Sequence, residues 1–479
     1  MKESVVSEER REGRSLSFLA QSAYALGNFG VAFSPTIVAA WLGYFFYGQE
    51  VDGKPLVYLA PATFSAIWFA TQFLNAFTDP VVGFLSDHTR SRFGRRRPWI
   101  LIGAPLLGLC FFFLWTPATR EPSLANAAIL FFSLLGFWLF FTVVVAPYLA
   151  LLPEITPFDN ERVRISTFMG IHEVLGTAAG NILPPVFAGA FASGALFLTD
   201  GYQVTGLLGA LALMVCFLLA ALSTRERYRP PEQQESAGRP VRAALREFAS
   251  VFRNPAFLPY VLGAGFYRMA AATIVFVTPF VATKILGAYP ATEGDLAILG
   301  TLGAVGESQA VDWELAAGYL MMLVLVGAAL LFPLVSLLSR RMGKRALYIL
   351  SLFWLGIVLI LMSTLGLWPY LSPLEQALCL FALATFPLAV ALVIIRPILA
   401  DVIDTDEKLT GRRREGIYNG MEGLIQKTGA ALGPGIAGLL FQFFGGSAQD
   451  NLGIRLATPL AGLCLLAAAL AFTRYPIRK

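Results

Sequence analysis

Charge is what this chain of 479 residues has least of: Asp, Glu, Lys and Arg make up only 14%, against about 25% in soluble globular chains. Histidine occurs twice, at His88 and His172. Four cysteines, Cys110, Cys216, Cys379 and Cys464, stand far apart, each inside an apolar run. No CxxC pair or metal-ligand spacing is present, so they read as small core residues rather than a disulfide framework or a zinc site. There is no Walker A motif, no GxGxxG opening a helix after a strand, and no Cys/His cluster. Hydrolase and oxidoreductase chemistry therefore has no support, and no cofactor is expected. Gly429-Ala-Ala-Leu-Gly433 reads as a small-residue helix-packing motif.

What is present is apolar. Hydrophobic residues make up 56%, phenylalanine alone numbers 39, and the mean hydropathy is +0.65. A bilayer core of about 30 Å needs about 20 mostly apolar residues per helix. On that rule the pattern predicts spans near 17–47, 57–87, 98–117, 124–152, 164–193, 203–223, 256–287, 312–339, 345–367, 374–403, 416–444 and 453–473. The charged stretch 1–14 leads into an apolar run too long for a signal peptide, so span 1 is expected to be retained. The net charge of +5 reads as basic loops that set membrane orientation, not as a nucleic-acid surface.

With the N-terminus inside, 29 Lys and Arg fall on inner loops, four on outer loops, and three inside spans. That asymmetry predicts a multi-pass inner-membrane protein with both termini cytoplasmic. The polar stretch 224–255, with seven arginines and Arg229-Pro230-Pro231, reads as a cytoplasmic linker. Its end, Val241 to Phe252, has the pattern of an amphipathic surface helix. The linker divides the chain into a six-helix bundle over 1–223 and another over 256–479. The two echo each other. Pro80 to Asp87 followed by Gly94-Arg95-Arg96-Arg97 is matched by Pro333 to Arg340 followed by Gly343-Lys344-Arg345. Pro147 to Glu154 is matched by Pro397 to Asp404. Two echoes at corresponding places indicate an internal repeat, the organisation of carriers whose site lies between the repeats. The expected fold class is an all-α integral membrane protein of two pseudo-symmetric six-helix bundles.

Several of these residues carry a resemblance. Asn75-Ala-Phe-Thr-Asp79-Pro80, Gly83 to Asp87, and Thr89 to Ile100 resemble the major facilitator superfamily. More narrowly they are similar to the glycoside–pentoside–hexuronide:cation symporters, the group of the melibiose carriers. Ala146 to Arg164 and Asp401 to Glu422 fit the same group, so the resemblance covers nearly the whole chain. It implies a cation-coupled symporter working by alternating access, with a small solute and the bilayer as its partners.

An ionisable residue inside a span costs roughly 2.5–3.5 kcal/mol on insertion scales, so each is a functional candidate. Gln72, Asn75 and Asp79 share one face of span 2. Their oxygens suit Na⁺, and a lone carboxylate suits a proton. In the melibiose carriers the positions of Asn75 and Asp79 are both acidic and form a sodium site with the threonine matching Thr142. The change to asparagine at position 75 leaves the coupling ion open between H⁺ and Na⁺. Span 5 carries His172 and Glu173, both suited to proton traffic. Span 11 carries Glu422, Gln426 and Lys427. The lysine lies roughly 16 Å into its helix, near the midplane, and matches one beside the cation and sugar sites of the melibiose carriers. A Glu422–Lys427 pair within the helix is one expected partnership. Arg268 and Arg396 suit a carboxylate or phosphate, unless Glu173, Glu422 or Asp401 neutralises them.

Where the melibiose carriers use acidic residues for sugar, this chain has Ala32 and Val145, and Gly170 stands near the place of an arginine. A galactoside held in the same manner is not expected. Gly83, Asp87, Arg90, Gly94, Arg95, Arg96 and Arg97 form the expected cytoplasmic gate. The substrate reads as a sugar-related or anionic organic solute. A lysolipid carrier is the alternative, a non-transporting receptor the remote one, and a monomer the expected assembly.

Overall fold

The computed structural model describes residues 16–51, 54–75, 93–156, 158–191, 200–224, 250–306, 310–411 and 414–476, with isolated positions between 78 and 91 and at 198. Among them the chain is helical almost throughout. In order come α1 (Phe18–Ala25), α2 (Gly27–Tyr47), α3 (Pro61–Asn75), α4 (Arg97–Phe113), α5 (Leu124–Ile155), α6 (Asp159–Ala190) and α7 (Gly201–Ser223). Then follow α8 (Phe257–Phe280), α9 (Glu293–Thr301), α10 (Trp313–Met342), α11 (Lys344–Leu361), α12 (Pro373–Thr410), α13 (Glu415–Phe444) and α14 (Leu452–Phe472). A two-residue hairpin, Glu50–Val51 with Lys54–Pro55, follows α2.

Eight helical stretches among the described residues are long and apolar enough to cross a membrane, α1 and α2 counting as one. α4 is apolar but shorter. Of the other four, α9 is short, and α3, α6 and α13 carry the polar candidates of spans 2, 5 and 11. Serine and aspartate side chains cap several helices by accepting from a backbone N–H in the first turn, as Ser123, Asp200, Asp312 and Ser372 do. α9, absent from the predicted spans, is held by a capping box between Thr292 and Asp295. Most of the proposed surface helix over 241–252 lies outside the described residues, and Val251–Arg253 forms one 3₁₀ turn.

The chain forms two compact units. One comprises Met1–Val38 and Phe77–Gln234, the other Ala39–Ala76 and Glu235–Lys479. The division passes through α2, so the end of span 1 and the start of span 2 pack with the C-terminal helices.

Each unit closes with the same device. In the first, a Cβ on Gly176 of α6 would stand 2.5 Å from the carbonyl oxygen of Phe29, and one on Gly180 3.0 Å from that of Phe33. In the second, a Cβ on Gly429 would stand 2.6 Å from the carbonyl of Gly265, and one on Gly433 2.7 Å from that of Met269. In lipid, helix pairs gain little from hydrophobic burial and depend on such close backbone approach. The small-residue reading of Gly429 and Gly433 describes this contact. Its twin at Gly176 and Gly180 was not anticipated.

The sequence echoes also become structure. Gly94 and Gly343 both have positive φ, +106° and +80°, which favours glycine at each. The basic residues that follow reach back to an acid on another helix of the same unit. Arg95 and Arg96 meet Glu154 at 2.6 and 3.0 Å, and Lys344 pairs with Asp401. The cysteines are all free. Cys216 is buried, Cys110 and Cys464 are half-buried, and Cys379 is exposed on α12, so it is not the core residue expected.

Candidate functional site

In the first unit the candidates sit on α5 and α6. Asn28 of α2 donates through Nδ2 to the Met169 carbonyl at 2.9 Å and to Glu173 Oε2 at 3.3 Å. Glu173 remains exposed. His172 lies next to it but turns elsewhere: its Nδ1 is 2.8 Å from the Phe168 carbonyl, one turn back on the same helix. Consecutive helical residues point about 100° apart, so the two titratable side chains are not brought together. Thr142 is buried on α5, and the Thr78 hydroxyl lies 3.4 Å from its own.

The second unit holds the cations. Lys427 Nζ donates to the Asn75 backbone carbonyl at 3.1 Å, tying α13 to α3. Gln72 and Asn75 are buried on α3. Glu422 does not pair with Lys427. Five helical residues separate directions by about 140°, and Glu422 Oε1 instead accepts from the Tyr260 hydroxyl at 2.9 Å and from Gln426 Nε2 at 3.0 Å. Tyr260→Phe is therefore expected to lower the unfolding midpoint. A hydrogen bond to a charged group contributes about 1.5–3 kcal/mol, and the half-exposure of Glu422 puts this one toward the lower end.

Arg268 on α8 and Arg396 on α12 are both exposed although they lie within spans. Neither has a hydrogen-bond or ion-pair partner among the described residues. Two of the carboxylates expected to neutralise them are engaged elsewhere, Glu422 with Tyr260 and Gln426, and Asp401 with Lys344.

Of the gate motif, Asp87, Gly83 and Arg90 lie outside the described residues, as does Asp79 of the cation site. Gly94, Arg95 and Arg96 are placed: besides Glu154, Arg96 holds the Ala150 carbonyl, and Arg97 Nε donates to the Ala221 carbonyl at 2.8 Å. No group of three or more His, Cys, Asp or Glu among the described residues is arranged to hold a metal ion.

Four participants escaped the sequence reading. Asn28 and Tyr260 were visible as polar groups in apolar runs, but their partners were not. Lys284 pairs with Glu50 at 2.6 Å, and Tyr44 donates to Glu314 at 3.1 Å. Lys284, Glu50, Tyr44 and Glu314 all belong to the second unit. On α6, Thr167, Gly170, Ile171, Val174 and Leu175 line an apolar notch of about 410 Å³.

Membrane-length helices with ionisable side chains inside them and repeated glycine contacts define a multi-pass membrane carrier. The family model described as MFS/sugar transport protein matches residues 23–313 and 308–479, and the chain belongs to that family. Within the major facilitator superfamily it falls in the glycoside–pentoside–hexuronide:cation symporter group. An uncharacterized symporter of Synechocystis, sll1374, is 26% identical over 90% of this chain and 86% of its own. The isoprimeverose transporter of Lactiplantibacillus pentosus is 23% identical over 94% and 87%. The chicken sodium-dependent lysophosphatidylcholine symporter 1 is 26% identical over 98% and 88%. Among solved structures, a bacterial homologue of the human peptide transporters PepT1 and PepT2 shares the fold. Its TM-score is 0.66 at 12% identity, over 96% of this chain and 98% of that one.

Proposed function

We propose that this protein is a cation-coupled symporter that carries an anionic, sugar-related organic solute by alternating access. The observation that carries the anionic part is the pair Arg268 and Arg396, exposed within spans and without partners among the described residues. Holding an unpaired guanidinium in a span costs several kcal/mol. A carboxylate- or phosphate-bearing solute that forms bidentate bonds offsets that cost. Asp79 is the coupling carboxylate, for H⁺ or Na⁺, with Asn75 and Thr142 supplying neutral oxygens. Glu173, His172, Gln72, Glu422, Gln426 and Lys427 line the solute and coupling pathway. The cytoplasmic gate is the set Gly83, Asp87, Arg90, Gly94, Arg95 and Arg96. On this reading twelve spans place both termini in the cytoplasm of an inner-membrane monomer. It acts as no enzyme, binds no nucleic acid and uses no cofactor.

Uptake into proteoliposomes with imposed Na⁺ or proton gradients tests the proposal. A hexuronide or other sugar acid is expected to accumulate, and its neutral counterpart is not. Asp79→Asn is expected to keep solute binding but lose accumulation against a gradient. Wild-type coupling in that variant removes Asp79 from the role.

A second reading has its own observation. The apolar notch on α6, opened by Gly170 beside Ile171, Val174 and Leu175, suits an acyl chain. A lysolipid carrier predicts uptake of lysophospholipid in preference to sugar acids.

A further inference from the structure

Within the second unit the end of span 1 and the start of span 2 are sealed onto α8 and α13 by aromatic rings. The Tyr47 ring lies 5.5 Å from Phe64, 5.4 Å from Phe280 and 6.4 Å from Phe441, and Phe64 lies 6.0 Å from Trp68 and 6.2 Å from Phe276. Such contacts are ordinary in a permanent core. The polar atoms among them are not. Tyr47 Oη, Ser65 Oγ and Trp68 Nε1 are buried with no hydrogen-bond partner among the described residues. The three residues are 9%, 2% and 2% exposed.

Gly438 of α13 explains how the contact is so tight. A Cβ there would collide with Ser65 Oγ and lie 3.3 Å from both Tyr47 Oη and the Pro61 carbonyl. The helices meet at a glycine, and the two hydroxyls are pressed against it.

Buried groups left unbonded are costly, and most native groups avoid that state. Three of them in one contact weaken it against its own aromatic packing. We propose that this seal is built to release: Tyr47, Ser65 and Trp68 regain hydrogen bonds only when α2 and α3 part from α8 and α13, which holds the closed state close in energy to the open one.

The placement gives release a consequence at the candidate site. Ser65, Trp68, Gln72 and Asn75 follow one another at i, i+3, i+7 and i+10 on one face of α3. α13 runs antiparallel along it, with Gly438 against Ser65 and Lys427 on the Asn75 carbonyl. Parting the helices at Gly438 thus strains the Lys427–Asn75 contact roughly 16 Å away.

The test needs no knowledge of the solute, so its failure is separable from that of the symporter reading. In a chain with Cys110, Cys216, Cys379 and Cys464 replaced by alanine, Ser65→Cys reports opening through its rate of maleimide labelling. Tyr47→Phe keeps the ring and deletes one orphan hydroxyl. It is expected to slow labelling about five- to thirty-fold and to raise the unfolding midpoint. Gly438→Ala is expected to speed labelling. Ser65→Ala, read by the unfolding midpoint alone in the otherwise native chain, is an independent arm and is expected to stabilise. Unchanged or faster labelling in Tyr47→Phe, or an unchanged or lowered midpoint in Ser65→Ala, would mean that water or another group already satisfies these atoms. Either result overturns the proposal.

Discussion

Arg268→Gln is expected to cut uptake of an anionic solute at least about 30-fold while leaving the protein as stable as before, or more so. Loss of one partner from a desolvated charge pair costs about 2–5 kcal/mol of binding, and each 1.4 kcal/mol is tenfold. The stability half follows from the same geometry. Arg268 has no partner among the described residues, so its removal strands no carboxylate, and glutamine relieves part of the cost of a charge within a span. Arg396→Gln is expected to behave alike. A structural arginine would show the opposite pattern, with a lowered unfolding midpoint and proportionate loss of both binding and folded protein. Uptake of a sugar acid in proteoliposomes, set beside thermal unfolding of the same preparations, separates the two. Equal loss for charged and neutral solutes would remove the anion from the proposal.

Gly433→Leu is expected to prevent recovery of folded protein. Its first added carbon would stand 2.7 Å from the Met269 carbonyl oxygen and 2.9 Å from the Thr273 nitrogen, both backbone atoms that no rotamer change can move. Overpacking in a core usually costs about 1–3 kcal/mol, and a backbone-on-backbone clash lies at or above the top of that range. Gly176→Leu is expected to fail in the same way in the other unit. Gly423 supplies the control on the same helix as Gly433, because a Cβ there meets nothing within 4 Å. Gly423→Ala is expected to be neutral or to stabilise by about 0.5–1 kcal/mol, the intrinsic preference of a helix for alanine. Size-exclusion profiles and thermal melts of the variants read both outcomes.

Much of the architecture was legible in advance because lipid imposes one strong rule. A span must be long and apolar, and the predicted spans 124–152, 203–223, 312–339 and 453–473 fall on α5, α7, α10 and α14 within a few residues. The repeat was legible for a different reason. Gly94 and Gly343 need a backbone that glycine allows, and the arginines or lysine beside them need an acid, so sequence echo and structural echo coincide. Partnership within the bilayer was far less legible. The sequence pattern predicts a span over 416–444 but not which helix it faces. For Glu422 the sequence leaves open a pair with Lys427 within the helix or a partner on another helix, and the partner is Tyr260, 162 residues away. The unit boundary within α2 was invisible for the same reason, since Val38 and Ala39 sit in one uninterrupted apolar run. Gly176 and Gly180 looked like any glycines in a polar-tinged helix until Phe29 and Phe33 were seen against them.

The composition of the second unit also constrains how the protein is made. Residues 39–76 leave the ribosome early, yet the rings that complete their packing, Phe276, Phe280 and Phe441, belong to helices synthesised far later. At roughly 5–20 residues per second, the wait from the end of this segment to Phe441 is about 20–70 s. Through that interval Tyr47, Phe64 and Trp68 sit in the bilayer or against temporary neighbours. The N-terminal helices are thus inserted first but finished last, and a chain halted before α13 lacks the surface on which its own second span comes to rest.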